Sequence, residues 1–176
     1  FFILIFIISS CSYFDKGKKV KKPNILLIVA DDLGYSDLGC FGSEIHTPNI
    51  DNLSKEGIIF SNFHTSTLCA PSRAMLLSGN DNHVAGIGIQ SFESESFGYE
   101  GRLTDRIVTI PSLLRKSGYH TYISGKWHLG SEGHWPTDQG FDINIGGHHR
   151  GSPPGGYYAP WTNPALKSKK PGEYLT

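Results

Sequence analysis

Asn24 to Ala30 reads N-I-L-L-I-V-A, an unbroken apolar run set between Pro23 and the adjacent acids Asp31 and Asp32. Short runs of this kind suit strands buried on both faces, as in a parallel sheet. Working outward, Pro48 to Glu56 predicts a helix, with Thr47 placed to cap it and Gly57 to end it. Ile58 to His64 is a second strand candidate, and after Pro71 a helical stretch from Ser72 to Leu77 closes near Gly79. Ile110 to Ser117 reads as an amphipathic helix, with Leu113 and Leu114 inward and Arg115 and Lys116 outward, and Tyr119 to Ser124 as a third strand. Strands alternating with helices predict an α/β fold with a largely parallel sheet flanked by helices. Past Gly125 the pattern gives way to glycine, proline and aromatic residues, a stretch that either folds over a site or belongs to a domain cut short.

The 176 residues favour one domain, and with 38% apolar and 12% aromatic residues they can build a core. Sixteen basic side chains balance sixteen acidic ones, so the bulk attraction of a nucleic-acid binder is missing and an anionic substrate must be captured locally. The opening run from Phe1 to Ile8 is too short to span a bilayer. It suits the end of a signal peptide whose basic start is missing. Ile8-Ser9-Ser10-Cys11 resembles a bacterial lipobox, so residues 1–11 are expected to direct export, with lipid on Cys11 anchoring the protein in the periplasm or at the cell surface. Residues 12–22, polar and lysine-rich, read as a tether. Cys11, Cys40 and Cys69 make no disulfide framework. A Cys40–Cys69 bridge is open from sequence, but a packed, free Cys40 is the preferred reading.

In a parallel sheet, ligands bind beyond the carboxyl ends of the strands. Asp31-Asp32 follows the first strand, Cys69 the second, and Lys126-Trp127-His128 the third, so parallel strands would bring all three to one edge. Adjacent carboxylates are tolerable when a hard cation lies between them, although an Asp-Asp turn is the plainer alternative. Asp37 is a further acid that a solvated loop position explains equally well. Pro71 belongs in a helical first turn, which puts Cys69 at a helix N-terminus, where free N–H groups favour anions. Arg73 lies one helical turn on, and its planar guanidinium suits a tetrahedral oxyanion. Three residues separate Cys69 from Arg73, whereas a cysteine phosphatase loop needs five.

Leu68-Cys69-Ala70-Pro71-Ser72-Arg73 with Ala74 to Gly79 resembles the signature of the formylglycine-dependent sulfatases. Pro23 to Gly34 is similar to that family's opening strand and metal-binding pair, and Gly118-Tyr119-His120-Thr121 through Gly125-Lys126-Trp127-His128-Leu129-Gly130 matches its second signature. His46 to Asp51 fits the same pattern, and Asn82 to Gly88 resembles a bacterial arylsulfatase-like branch. The resemblance implies the alkaline-phosphatase-like fold, with residues 23–176 as the N-terminal portion of the catalytic domain. It implies a sulfuric ester hydrolase acting on aryl or carbohydrate sulfates. Cys69 would be oxidised to formylglycine by a maturation enzyme and hydrated to a diol. Asp31, Asp32 and the modified Cys69 would bind calcium, or magnesium. Arg73 would hold the diol, Lys126 would bridge it to a sulfate oxygen, and His128 would take a proton as sulfate leaves.

Among other histidines, His46 and His64 read as hydrogen-bonded structural residues and His83 as a substrate-pocket candidate. His148, His149 and Arg150 read as polar residues of a solvated glycine-rich loop. The family's second metal pair, and its second lysine and histidine near the leaving group, find no match here, so the chain alone is expected to be inactive. Two rivals stand beside the sulfatase reading: a phosphate or phosphonate monoester hydrolase of the same fold, and a non-catalytic lipid-anchored binding protein.

Overall fold

The computed structural model describes residues 21–90, 92–166 and 170–174. The expected signal segment, Cys11 and nearly all of the tether lie outside the described residues. The chain divides into two units, residues 1–30 and 31–176.

In the first unit the described residues, 21–30, are irregular and exposed. The expected strand at Asn24 to Ala30 is therefore not formed. A strand buried on both faces needs a ladder partner and a cover for each face; among the described residues no strand pairs with the run, and Leu26 and Ile28 are 84% and 78% exposed.

The second unit begins with two short 3-10 turns, Tyr35–Asp37 and Gly39–Phe41, and then α1, Pro48–Glu56. The bounds of α1 match expectation, and Gly57 closes it by donating its N–H to the Leu53 carbonyl. Thr47 does not cap it through its side chain. Its hydroxyl instead donates to Asp51 and accepts from the Gly39 N–H, while Asp51 also accepts from the Cys40 N–H, so the cap residue ties the preceding turn to the helix. The expected strand at Ile58 to His64 is irregular and broken by a turn at Ser61 and Asn62. Asn62 takes a local bond from His64 at 2.7 Å, the use of asparagine that competes with strand pairing.

Helix α2 runs from Cys69–Ser78, three residues longer at its start than expected, because Leu68 rather than a residue nearer Pro71 is its extended N-cap. Pro71 sits in the first turn, where its missing N–H costs nothing. Gly79, at a positive φ of 66°, returns its N–H to the Met75 carbonyl and ends the helix. Helix α3, Ile110–Lys116, starts at Thr109, whose buried side chain accepts from the Ser112 N–H and donates to the Gln139 carbonyl. Its predicted inward face is corrected: Leu113 is 52% exposed and Leu114 half-buried. The helix is held instead by Thr109, by Pro111 and by an Arg115–Asp142 ion pair of 3.0 Å.

Strand β1, Tyr122–Ser124, is the second half of the third expected strand, Tyr119 to Ser124, and it pairs in parallel with β2, Ile143–Ile145. Tyr122 faces Ile143 in the register, and the Gly125 N–H to Ile145 carbonyl bond extends the ladder. Strand β2 lies in the stretch expected to be irregular. Because the strands are parallel, the segments leaving them, Gly125 onward and Gly146 onward, emerge at the same edge. The core gathers Ala70 and Ala74 of α2, Ala85, Ile87, Leu103, Ile107, and Trp127 and Leu129 from the segment that leaves β1. Trp127 meets Phe141 edge-on and donates its indole N–H to the His134 carbonyl. Among the described residues no helix is long and apolar enough to cross a membrane.

Candidate active site

The segment after β1 alternates between core and site. Trp127 and Leu129 are 1% and 0% exposed, so the residues between and before them, His128 and Lys126, are turned the other way. His128 takes a left-handed backbone, φ 63°, which is costly for a residue with a Cβ and is held by a 3.0 Å bond from its N–H to the His148 carbonyl. Cys69, half-buried at the first residue of α2, lies with its Sγ 3.5 Å from Nδ1 of His128 and donates to Oε1 of Gln90 at 3.0 Å. Cys40 and Cys69 are both free, so no bridge consumes the site thiol.

Arg73, one turn along α2, spans the two segments. Its Nη1 donates to the Lys126 carbonyl at 2.8 Å and its Nη2 lies 3.6 Å from Asp31. Its Nε is buried with no hydrogen-bond partner, an unsatisfied donor beside the thiol's helix. Lys126 donates to Asp31 at 2.7 Å. Thus the structure brings together Asp31, Cys69, Arg73, Lys126 and His128, drawn from three separate stretches of sequence.

The electrostatics follow from this packing. Burial works to raise the Asp31 pKa, but Lys126 and Arg73 outweigh it and hold the carboxyl below its ordinary range. Burial works to lower the Lys126 pKa, and its bonds to Asp31 and Cys69 outweigh that and raise it, so the ammonium stays charged. For His128, burial and then the charges of Lys126 and Arg73 depress the pKa, against a smaller opposing pull from Asp31. A neutral imidazole beside Cys69 is a proton acceptor at neutral pH.

The expected metal ligands do not assemble. Asp32 is exposed and also left-handed, φ 56°, and among the described residues no group of three His, Cys, Asp or Glu side chains is arranged to hold a metal ion. Asp31 is instead engaged by two cations. The donor set present here therefore does not by itself fit a divalent ion. Asp37 accepts from the Gly34 N–H and belongs to its turn. His64 is bonded to Asn62, whereas His46 is exposed without a hydrogen-bond partner among the described residues. His83, expected near a pocket, is turned to Asp81 at 3.2 Å and packs edge-on against Tyr99.

Two cavities open at this edge. One, of about 520 Å³, is lined by His128, Gln90 and Ala70 on the nucleophile side and by His149 and Arg150 opposite. The other, of about 780 Å³, reaches from Asp31 and Lys126 past β2 to Tyr157, Trp161 and Tyr174. Gln90 carried no local signal, being 21 residues from Cys69. The positions of His149 and Arg150 follow from β2, whose Ile-Asn-Ile alternation was the available cue.

Residues 23–164 match the Sulfatase family model. The chain is 49% identical over 156 residues to an uncharacterized sulfatase of Schizosaccharomyces pombe, covering 81% of this chain and 28% of that protein. It is 44% identical over 126 residues to an arylsulfatase of Klebsiella aerogenes, covering 69% of this chain and 27% of that one. The crystal structure of Ps i-CgsB in complex with k-i-k-neocarrahexaose aligns at a TM-score of 0.69 with 33% identity, over 88% of this chain and 39% of that one. The chain thus spans under a third of the length of the first two relatives. The match runs through both segments that meet at Cys69 and His128, and the structural likeness carries the alkaline-phosphatase-like fold. With a family model covering most of its length and a relative nearly half identical, the chain belongs to the sulfatase family.

Proposed function

We propose that this protein hydrolyses sulfate monoesters, aryl or carbohydrate, through a nucleophile made from Cys69 by oxidation to formylglycine. The observation that carries the reading is the meeting of Cys69 Sγ with His128 Nδ1 at 3.5 Å, beside the unsatisfied Arg73 Nε and the charged Lys126. When formed, the hydrated aldehyde supplies a hydroxyl for attack on sulfur. Arg73 offers its free Nε–H to an oxygen of the diol or of sulfate, a charge-assisted bond at a position otherwise lacking a partner. Lys126 stays protonated and balances charge on sulfate as the ester bond to the alcohol breaks. His128, neutral, accepts a proton from the second hydroxyl as sulfate departs. A divalent cation, calcium or magnesium, belongs to the family reading; Asp31, Asp32 and the modified Cys69 would be the ligands these segments contribute, and since their arrangement here does not by itself fit the ion, a shell of six or more oxygens would need other donors as well.

The substrate, a sulfate ester, and the maturation enzyme are the implied partners. The names of the relatives support this: an arylsulfatase, a steryl-sulfatase and an N-acetylgalactosamine-6-sulfatase. Export with lipid on Cys11 rests on the lipobox-like Ile8-Ser9-Ser10-Cys11 alone, and Cys11→Ala should release the full-length protein from membranes in the native host.

Peptide mass spectrometry across Ser66 to Arg73 of the full-length protein from that host should find formylglycine at position 69. Initial rates on matched aryl sulfate and aryl phosphate esters should then favour sulfate clearly. Equal or faster phosphate turnover would make it a phosphate monoester hydrolase, and an unmodified cysteine with no turnover would make it a binding protein.

A further inference from the structure

The loop from Gly146 to Ser152 leaves β2 and is pinned to the nucleophile's own proton acceptor. The His128 N–H bonds to the His148 carbonyl at 3.0 Å, and Gly151 packs so close to the His128 ring that an added Cβ would lie 2.8 Å from its Cε1. Arg150, between these two contacts, is therefore fixed near the reacting end while its side chain is exposed. It lines both cavities. No carboxylate lies within ion-pairing distance of its guanidinium among the described residues, whereas Arg73, Arg106 and Arg115 pair with Asp31, Glu100 and Asp142. His149 lies tilted against His148 with ring centroids 4.2 Å apart, and both rings lie against Trp135, so the Arg150 side of the cavity rests on an aromatic base.

We propose that the cavity between Gln90 and Arg150 receives the alcohol part of the sulfate ester, and that Arg150 with His149 selects alcohols bearing a second anionic group. This rests on the sulfate hydrolysis reading. Lys126 and Arg73 answer the sulfate that is cleaved; Arg150 has no such assignment, and an unpaired guanidinium at a cavity wall invites a carboxylate, sulfate or sulfonate with paired hydrogen bonds. Glu93 also lines this cavity, with its side chain laid against Gly101, and repels an anion at that end, which confines the second charge to the Arg150 side. Gln90, already accepting from Cys69, also lines this cavity and ties it to the nucleophile.

The test uses the full-length matured protein and three phenyl sulfates, with carboxylate, sulfonate or neutral methyl ester at the para position. The parent should prefer the charged substrates after correction for leaving-group reactivity. In Arg150→Ala the ratio of kcat/KM on charged over neutral substrate should fall about tenfold or more, and Arg150→Lys should restore part of it. Carboxylate against sulfonate then tells a planar from a tetrahedral partner. A ratio within twofold of the parent's in Arg150→Ala would overturn the proposal while leaving sulfate hydrolysis standing. Equilibrium binding of the same compounds to Cys69→Ala, with and without Arg150→Ala, reads the pocket without turnover. If the parent cleaves none of them yet Arg150 still discriminates in binding, the hydrolysis reading fails and the pocket stands; discrimination in neither assay overturns the pocket.

Discussion

Arg73 does two things that are hard to separate, because one face of its guanidinium holds the Lys126 carbonyl and Asp31 while its Nε points at nothing. A lysine there keeps the charge but has no planar fork with which to reach both segments. Arg73→Lys should therefore lower kcat/KM on an aryl sulfate by about a hundredfold or more, the scale of losing one oriented charge-assisted donor. Thermal stability should fall only modestly, by about 1–3 kcal/mol, for the lost bonds to partly buried acceptors. Steady-state kinetics alongside thermal melts separate the two, and a variant that is as active as the parent would remove Arg73 from the reaction. Cys69→Ala should abolish turnover altogether, since the thiol that becomes the nucleophile is gone. Single residues were the most readable part of this sequence: Cys69, Arg73, Lys126 and His128 stand in short motifs whose chemistry does not depend on knowing the sheet. Gln90, His149 and Arg150 were not readable in that way, because Gln90 matters through a contact with Cys69, remote in sequence, and His149 and Arg150 through the cavity they line.

At the scale of elements, the device that aligns β1 with β2 is Asp142. Its carboxylate accepts from the Thr121 N–H at 2.9 Å and pairs with Arg115 at 3.0 Å, so it ties α3 to the start of both strands, and both strands lead into the site. The backbone bond from Thr121, against a weaker desolvation and with help from Arg115 and His120, holds its pKa below the ordinary value. A depressed carboxylate contributes stability that is present above its unfolded pKa and is lost as pH falls through the folded one. Asp142→Asn should therefore lower the melting temperature of the full-length protein at neutral pH, and the gap to the parent should close as pH drops below the usual carboxylate range. Unfolding scans across that range test it, and a constant gap at all pH values would show that the charge is not what stabilises. Thr109→Ala should cost about 1 kcal/mol, the usual worth of a side-chain cap, with more expected because Thr109 also donates to Gln139; denaturant melts check this. The sequence showed α1 to within a residue because its proline, cap position and terminal glycine are all local. It hid β2 because three residues among glycines form a strand only by leaning on β1, and it overstated the strands at 24–30 and 58–64 because apolar runs record a demand for burial without saying what meets it.

That unmet demand has its consequence for the whole molecule. Ile25, Leu26, Leu27, Ile28 and Val29 are between 45% and 84% exposed, and Phe60 and Phe63 are 72% and 70% exposed. Covering a Leu, Ile, Val or Phe side chain fully is worth about 1.5–3 kcal/mol, so these positions together are strong enough to drive association with any apolar surface offered. Isolated apolar side chains on a surface are ordinary, but a continuous run of five is a patch of the kind that marks an interface or an aggregation site. Residues 21–176 expressed alone should therefore bind a hydrophobic dye and self-associate at micromolar concentration. Changing Leu26 and Ile28 to Lys, the two most exposed of the run, should reduce both effects without touching the residues around Cys69. Light scattering behind a sizing column and dye fluorescence read the outcome. If the parent fragment is monomeric and silent to the dye, the run is covered in solution and the first strand predicted from Asn24 to Ala30 has found a partner; if the lysine pair changes nothing, the association comes from another part of the surface.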